Sequence, residues 1–267
     1  MIRLICIDID GTLLNSHKEL PEDNRKAIRY AIQKGATIVF ATGRSRQGVE
    51  YLFKSIPCDE NAICLNSGLI LYQGETIYQK QMSEQVVQKV INLMEKYNSQ
   101  LFLTSENGNI TVGSLSDKLK AEMQQGSLKG NYRFCENYEE LRGVISQTKV
   151  LKMAVQDFEA ERFEQLYGEL QKIKEVSVLR SDKFFVDIIP SDSGKEKGVE
   201  ILAQYLGIAS DEIVCIGDNE NDIAMLKDAG VGVAMGNASE EVKCAADYVT
   251  ADNDHAGVAE AIYYYME

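Results

Sequence analysis

Asp8 and Asp10 stand two residues apart in DIDGTL, the hexapeptide that follows the apolar opening MIRLICI. Side chains two apart on an extended chain point the same way, so both carboxylates are expected to face one spot. Like charges held that close need a cation, a shared proton or a solvated turn. Other ligand-type residues sit where further apolar runs end: Thr42, Gly43 and Arg44 after TIVFA, and Asp218, Asn219, Glu220, Asn221 and Asp222 after EIVCIG. Lys195 opens the segment that precedes that last run. Asp8, Asp10 and Asp218 offer hard oxygen ligands suited to Mg2+, which keeps several waters and takes one or two carboxylates beside a substrate phosphate. Thr42, backbone N–H groups and Lys195 can hold phosphate oxygens and offset their charge. The set fits phosphoryl transfer, one carboxylate attacking phosphorus while its neighbour trades a proton.

Taken singly, each feature has an ordinary explanation. DxDGT also describes a solvated or calcium-type turn, and ATGR a strand-to-helix turn rich in common turn residues. A lone Lys195 reads as a surface lysine, and GDNEND as a cap satisfying free N–H groups of the next helix. Their joint occurrence, in this order, at successive run ends is what coincidence explains poorly.

The elements that must position these residues follow from the periodicity. RLICIDID, ATIVFATG and NAICLN read as strands, separated by the helices PEDNRKAIRYAIQKG and SRQGVEYLFKSI. Pro21 near the start and Gly35 at the end bound the first helix. Continuous apolar strands alternating with helices imply a parallel sheet covered on both faces, with ligands beyond the carboxyl ends of its strands. LILYQGETIYQKQ reads as a hairpin turning at Gln73-Gly74. From Ser83 the pattern changes to a helix, SEQVVQKVINLMEKY, a hairpin, QLFLTSENGNITVG, and then KVLKMAVQD, EAERFEQLYGELQKI, EVSVLRSD and FFVDIIP. That mixture is α+β. After Pro190 the first rhythm returns through the strands EIVCIG, VGVAMG and DYVT and the helices KEKGVEILAQYLG, ENDIAMLKDAG, SEEVKCAA and HAGVAEAIYYYM. The expected architecture is α/β: a Rossmann-like open parallel sheet from residues 1–82 and 190–267, interrupted by an α+β module at 83–189.

Bulk properties narrow the function. The 267 residues are 45% hydrophobic, and no apolar run reaches the roughly 18 residues of a membrane span. The opening stretch is too short for a signal peptide and ends in carboxylates, so a cytoplasmic location is expected. A net charge of −13 disfavours nucleic acid and anionic membranes as partners. Six cysteines without CxxC spacing, three of them (Cys6, Cys64 and Cys215) inside strand-like runs, read as free thiols. His17 and His255 are too few for histidine-based metal or triad chemistry.

DIDGTL, ATGR, the Lys195 segment and IGDNENDIAML together resemble the four motifs of the haloacid dehalogenase-like superfamily of phosphohydrolases, and AGVGVAMGNASEEVKCAADYVTADN resembles its Cof-type branch. The resemblance implies an inserted cap between the second and third motifs. It implies that Asp8 is the nucleophile forming an aspartyl-phosphate and that Asp10 is the general acid/base. It also implies phosphate contacts from Thr42, Gly43, Asn221 and the Ile9 N–H, and Mg2+ ligands from Asp8, the Asp10 carbonyl and Asp218, with Asp222 supporting that shell. Alignment without a gap puts the family lysine at Lys195, with Lys197 the alternative; Glu196 departs from the glycine frequent there. Asp10 marks hydrolysis, because the transport ATPases of the superfamily carry threonine at that place.

The expected activity is a Mg2+-dependent phosphatase of small phosphorylated metabolites, sugar phosphates first, with pyridoxal phosphate or flavin mononucleotide as alternatives. A phosphomutase with the same site is the near alternative, and a phospho-acceptor signalling module the distant one, whose motif order and length are wrong. Specificity should come from the inserted module, where residues 180–183 in a turn RSDK are candidates, as is Arg44 beside the phosphate contacts. Arg44 reads equally as the ion-pair partner of a core carboxylate. Tyr263, Tyr264 and Tyr265 read first as helix packing.

Overall fold

The structure is a computed structural model and describes residues 1–105, 108–112 and 132–267. Its elements divide between two compact units, one of residues 1–78 and 194–267 and one of residues 79–193.

The first unit begins with β1 (Leu4–Ile7), α1 (Glu22–Gln33), β2 (Thr37–Ala41), α2 (Arg46–Ser55), β3 (Ala62–Cys64), β4 (Leu69–Tyr72) and β5 (Glu75–Gln79). The chain passes from β4 to β5 through Gln73 and Gly74, both at positive φ, where the sequence places a turn. NAICLN is strand only as far as Cys64. Leu65, Asn66 and Ser67 leave it with φ of 54°, 50° and 75°, a left-handed run costing about 1–2 kcal/mol per residue.

The second unit holds α3 (Glu84–Tyr97), β6 (Gln100–Ser105), β7 (Gly108–Val112), β8 (Tyr132–Cys135), α4 (Tyr138–Ile145), β9 (Val150–Gln156), α5 (Ala160–Leu170), β10 (Val176–Asp182) and β11 (Phe185–Pro190). Its strands run in the order β10-β11-β9-β6-β7-β8, antiparallel except for β7 with β8. Strand alternation sends Leu101, Leu103, Met153, Val155, Val186 and Ile188 to one face, where they pack on Val90 and Met94 of α3 and Phe163 and Leu166 of α5. β6 and β7 pair as the expected hairpin, and its tip, Glu106 and Asn107, lies outside the described residues.

The first unit then resumes with α6 (Lys195–Leu206), β12 (Ile213–Gly217), α7 (Ile223–Asp228), β13 (Val231–Ala234), α8 (Glu240–Ala245), β14 (Tyr248–Val249) and α9 (Gly257–Met266). Its sheet runs β14-β13-β12-β1-β2-β3-β4-β5, parallel from β14 to β3 and antiparallel where β3 meets β4. β1 lies between β2 and β12 and is buried along its whole length, which explains a run with no polar alternation. Leu4, Cys6, Val39 and Ile63 face Val199 and Leu202 of α6 and Met225 of α7. α1 and α9 pack together, Tyr263 lying 5.3 Å from Tyr30. Tyr264 stacks on Tyr248 while staying largely exposed, so the tyrosine run both packs its helix and leaves a partly exposed aromatic surface.

Two buried asparagines tie the loop after β1 to this frame. Asn24 donates through Nδ2 to the Leu13 carbonyl (3.0 Å) and accepts from the Ala259 N–H (3.0 Å). Asn253 donates to the Leu14 carbonyl (3.0 Å). Asn24→Leu would strand two buried backbone groups, at roughly 1–3 kcal/mol each. The expected result is a lower urea midpoint at unchanged m; a midpoint equal to the wild type's would contradict the clamp.

Candidate active site

The ends of β1, β2, β3 and β12 bring the chemistry-bearing residues of the first unit together. β1 ends at Asp8, whose N–H still donates to the Ile216 carbonyl of β12 (2.9 Å). The chain then turns: Gly11 has φ +84°, and the Leu13 and Leu14 N–H groups close back on the carbonyls of Asp8 (3.1 Å) and Ile9 (3.0 Å). Asp218 lies so close to Gly11 that its Cγ would stand 2.9 Å from a Cβ there. Only glycine meets both the dihedral and the contact.

Lys195 joins the cluster. Its Nζ lies 2.5 Å from Asp8 Oδ1 and 2.6 Å from Asp222 Oδ1, and the side chain is 1% exposed. Asp222 spends its other oxygen on the N–H groups of Asp218 (3.1 Å) and Asn219 (3.0 Å), so it holds both the lysine and the loop after β12. Asp218 Oδ1 accepts from the Thr12 hydroxyl (2.7 Å). α6 reaches this depth because Gly198, one turn beyond Lys195, presses against Ile63 and Ser67; a Cβ there would collide with Ile63. Lys197 points elsewhere and pairs with Glu200 (2.7 Å).

The electrostatics follow from the burial. Burial pushes the Asp8 carboxyl up to about 8, against the pull of Lys195, and the Asp222 and Asp218 charges add to the rise. Burial also raises Asp218, opposed by its Thr12 bond. Lys195 loses basicity to burial and regains more from Asp222 and Asp8, so it stays charged. Asp8, Asp218 and Asp222 each place a carboxylate oxygen within 4.8 Å of the others. Both Asp222 oxygens are spent, which leaves Asp8 and Asp218, whose carboxylate oxygens lie within 4.8 Å of each other. A divalent cation fits these two donors, since both are hard oxygens and three carboxylates face one ammonium.

Asp10 does not share that spot, contrary to the extended-chain expectation. The chain turns immediately after Asp8, so side-chain alternation ends there. Asp10 is half exposed, and Arg44 grips both of its oxygens through Nε (2.7 Å) and Nη2 (2.5 Å). Arg44 is in turn held by the Tyr51 hydroxyl (2.9 Å). Of its two readings, ion-pair partner is the one the structure displays. Thr42 is 2% exposed and accepts from the Arg44 N–H (3.1 Å), shaping the turn that carries Gly43. The Ile9 side chain is wholly buried. Asn221 lies beside Asp222, its Oδ1 buried and without a partner among the described residues. Arg180 is not in the turn expected of RSDK: it lies on β10, pairs with Glu164 (3.0 Å) and covers the Tyr167 ring.

Thr12 and Asn237 were assigned no role from the sequence. Asn237 Nδ2 donates to the Gly11 carbonyl (2.9 Å), and its Oδ1 accepts from the Asn253 N–H (3.0 Å). Its place just beyond the end of β13 was the available signal.

A family model described as haloacid dehalogenase-like hydrolase matches residues 5–262. The 5-amino-6-(5-phospho-D-ribitylamino)uracil phosphatase YcsE of Bacillus subtilis (strain 168) is 30% identical over 99% of this chain and 96% of its own. A chloroplastic endoribonuclease YBEY of Arabidopsis thaliana is also 30% identical over 98% of this chain, which spans only 46% of that protein. Among solved structures, a subclass IIB sugar phosphatase of the same superfamily superposes with a TM-score of 0.84 at 27% identity, covering 98% of each chain.

The raised Asp8 group carries a sign. Its folded-state value lies above the unfolded 3.8, so the stability it contributes is present below pH 3.8 and is lost as pH rises toward about 8. In chelator, wild type is expected to lose stability relative to Asp8→Asn between pH 5 and pH 8.5. Urea midpoints of both proteins at the two pH values measure it; parallel shifts would contradict the assignment.

Proposed function

The chain belongs to the haloacid dehalogenase-like hydrolases, in their Cof-type branch, and is a phosphoric monoester hydrolase; from that premise we propose that it is a Mg2+-dependent phosphatase of small sugar and polyol phosphates, working in the cytoplasm. The observation that carries the metal and the nucleophile is the buried Asp8 carboxyl, set between the Lys195 ammonium and Asp218. Substrate class is supported by two relatives, one named for a sugar phosphatase activity and one for a phosphoribityl substrate. Both leaving groups are polyhydroxylated. No helix among the described residues is long and apolar enough to cross a membrane.

In this reading Mg2+, held by Asp8, the Asp10 carbonyl and Asp218, supplies charge neutralisation for the phosphoryl oxygens and the nucleophile. Lys195, the Gly43 and Ile9 N–H groups, Thr42 and Asn221 bind and orient the phosphoryl group. An Asp8 carboxylate oxygen attacks phosphorus, the ester bond breaks, and the leaving oxygen takes the proton of the Asp10 carboxyl. Asp10, now a carboxylate, removes a proton from water as that water attacks the aspartyl-phosphate; inorganic phosphate leaves and Asp8 is regenerated. The bidentate Arg44 bond fixes the position of the Asp10 carboxyl group. Asp222 and Arg44 position the reacting groups without touching phosphorus. Leaving-group specificity is assigned to the inserted segment, residues 83–189, as the family resemblance implies.

The test is phosphate release from a panel of sugar, polyol, pyridoxal and flavin phosphates, with Mg2+ and with chelator. Wild type is expected to release phosphate only with the metal, and Asp8→Asn to release none. Asp10→Asn should be slower by roughly a hundredfold to ten-thousandfold on alkyl phosphates. Metal-independent release, or full activity in Asp8→Asn, would reject the mechanism.

A further inference from the structure

Leu65, Asn66 and Ser67 form the left-handed run after β3, and each is at most 2% exposed. Such a run persists only where its surroundings hold it. Here the surroundings are the phosphate-binding elements. The Asn66 N–H donates to the Thr42 carbonyl (3.1 Å) and the Leu65 N–H to the Arg44 carbonyl (3.0 Å), gripping the turn on both sides of Gly43. Ser67 Oγ accepts from the Gly194 N–H (3.3 Å), immediately ahead of Lys195.

The Asn66 side chain is not explained by this grip. Its amide lies against Gly43, where a Cβ would stand 3.5 Å from Nδ2 and 3.6 Å from Oδ1. The Oδ1 atom is buried and has no hydrogen-bond partner among the described residues. Buried amides are normally satisfied, and an unspent one needs a reason. Conformation alone does not supply it, because glycine takes the same φ without strain. An amide is also two-sided, a donor and an acceptor at one place, which suits a phosphate ester whose carbon skeleton carries hydroxyls.

We infer that Asn66 is a further ligand-contacting residue of this site: its amide hydrogen-bonds the phosphate monoester held at Gly43, Nδ2 donating to a phosphoryl oxygen and Oδ1 accepting from a hydroxyl of the ligand. The inference rests on the phosphoryl reading of the core site proposed above. It assigns to the loop after β3 a binding role alongside those after β1, β2 and β12.

Asn66→Gly keeps the left-handed backbone and removes the amide. Asn66→Asp keeps the shape and sets a carboxylate against the phosphate. Inorganic phosphate is the probe, titrated calorimetrically with Mg2+ present and as a competitive inhibitor of p-nitrophenyl phosphate hydrolysis. Asn66→Gly is expected to keep its melting temperature, to bind phosphate roughly tenfold or more weakly, and to show a larger rise in KM than fall in kcat. Asn66→Asp is expected to bind more weakly still. Phosphate affinity equal to wild type's in Asn66→Gly overturns the inference and leaves the phosphatase reading standing. Should that variant not fold, wild-type affinity in Asn66→Asp overturns it equally. A wild type that neither binds nor releases phosphate overturns both readings.

Discussion

One buried ammonium sets the terms for the site. Lys195 lies between Asp8 and Asp222 with almost no access to water, and removing a partner from such a group typically costs several kcal/mol because the survivor stays charged and dry. Around it the backbone is arranged to bring strand ends to one place. Asp222 ties the lysine to the loop after β12, Thr12 ties that loop to the one after β1, and Asn237 fastens the loop after β1 to the segment at Asn253. The charges are therefore held by hydrogen bonds made before any ligand arrives. That is the preorganisation from which electrostatic catalysis draws most of its effect.

Two kinds of carboxylate result from one hexapeptide. Asp8 is sealed among acidic neighbours and one cation, while Asp10, two residues later, lies half exposed in the fork of Arg44. A nucleophile and a proton carrier need different surroundings, and a turn between them provides both. Gly11 makes the turn and at the same time yields the space that Asp218 occupies.

The strand–helix rhythm and the interrupted sheet were legible because parallel strands buried on both faces leave unbroken apolar runs. The cluster residues were legible because they sit where those runs stop. Lys195 was separable from Lys197 only by counting; the physical reason is that two residues are about 200° apart on a helix, and Gly198 selects which face goes inward. The direction of Asp10 was not legible, since it depends on a turn dihedral and on Arg44, which is 34 residues away. Arg180 was misplaced because its strand runs on to Asp182 and its partners lie on α5. Asn66 and Asn237 look like ordinary loop asparagines in sequence, and only the burial of Asn66 and the contacts of both set them apart.

β1 owes one neighbour, β2, to the residues that follow it closely and the other, β12, to residues beyond position 212. During synthesis the central strand of the sheet therefore waits with one edge bare until most of the chain has emerged, and Asp8 waits for its ammonium over nearly the same interval. At about 5–20 residues per second that exposure lasts roughly ten seconds or more. An apolar strand with an open edge is a template for wrong pairing. The described strands of the intervening 79–193 segment pair only among themselves, so none of them covers that edge. The segment's insertion thus sets a delay that the first unit must survive at every round of translation.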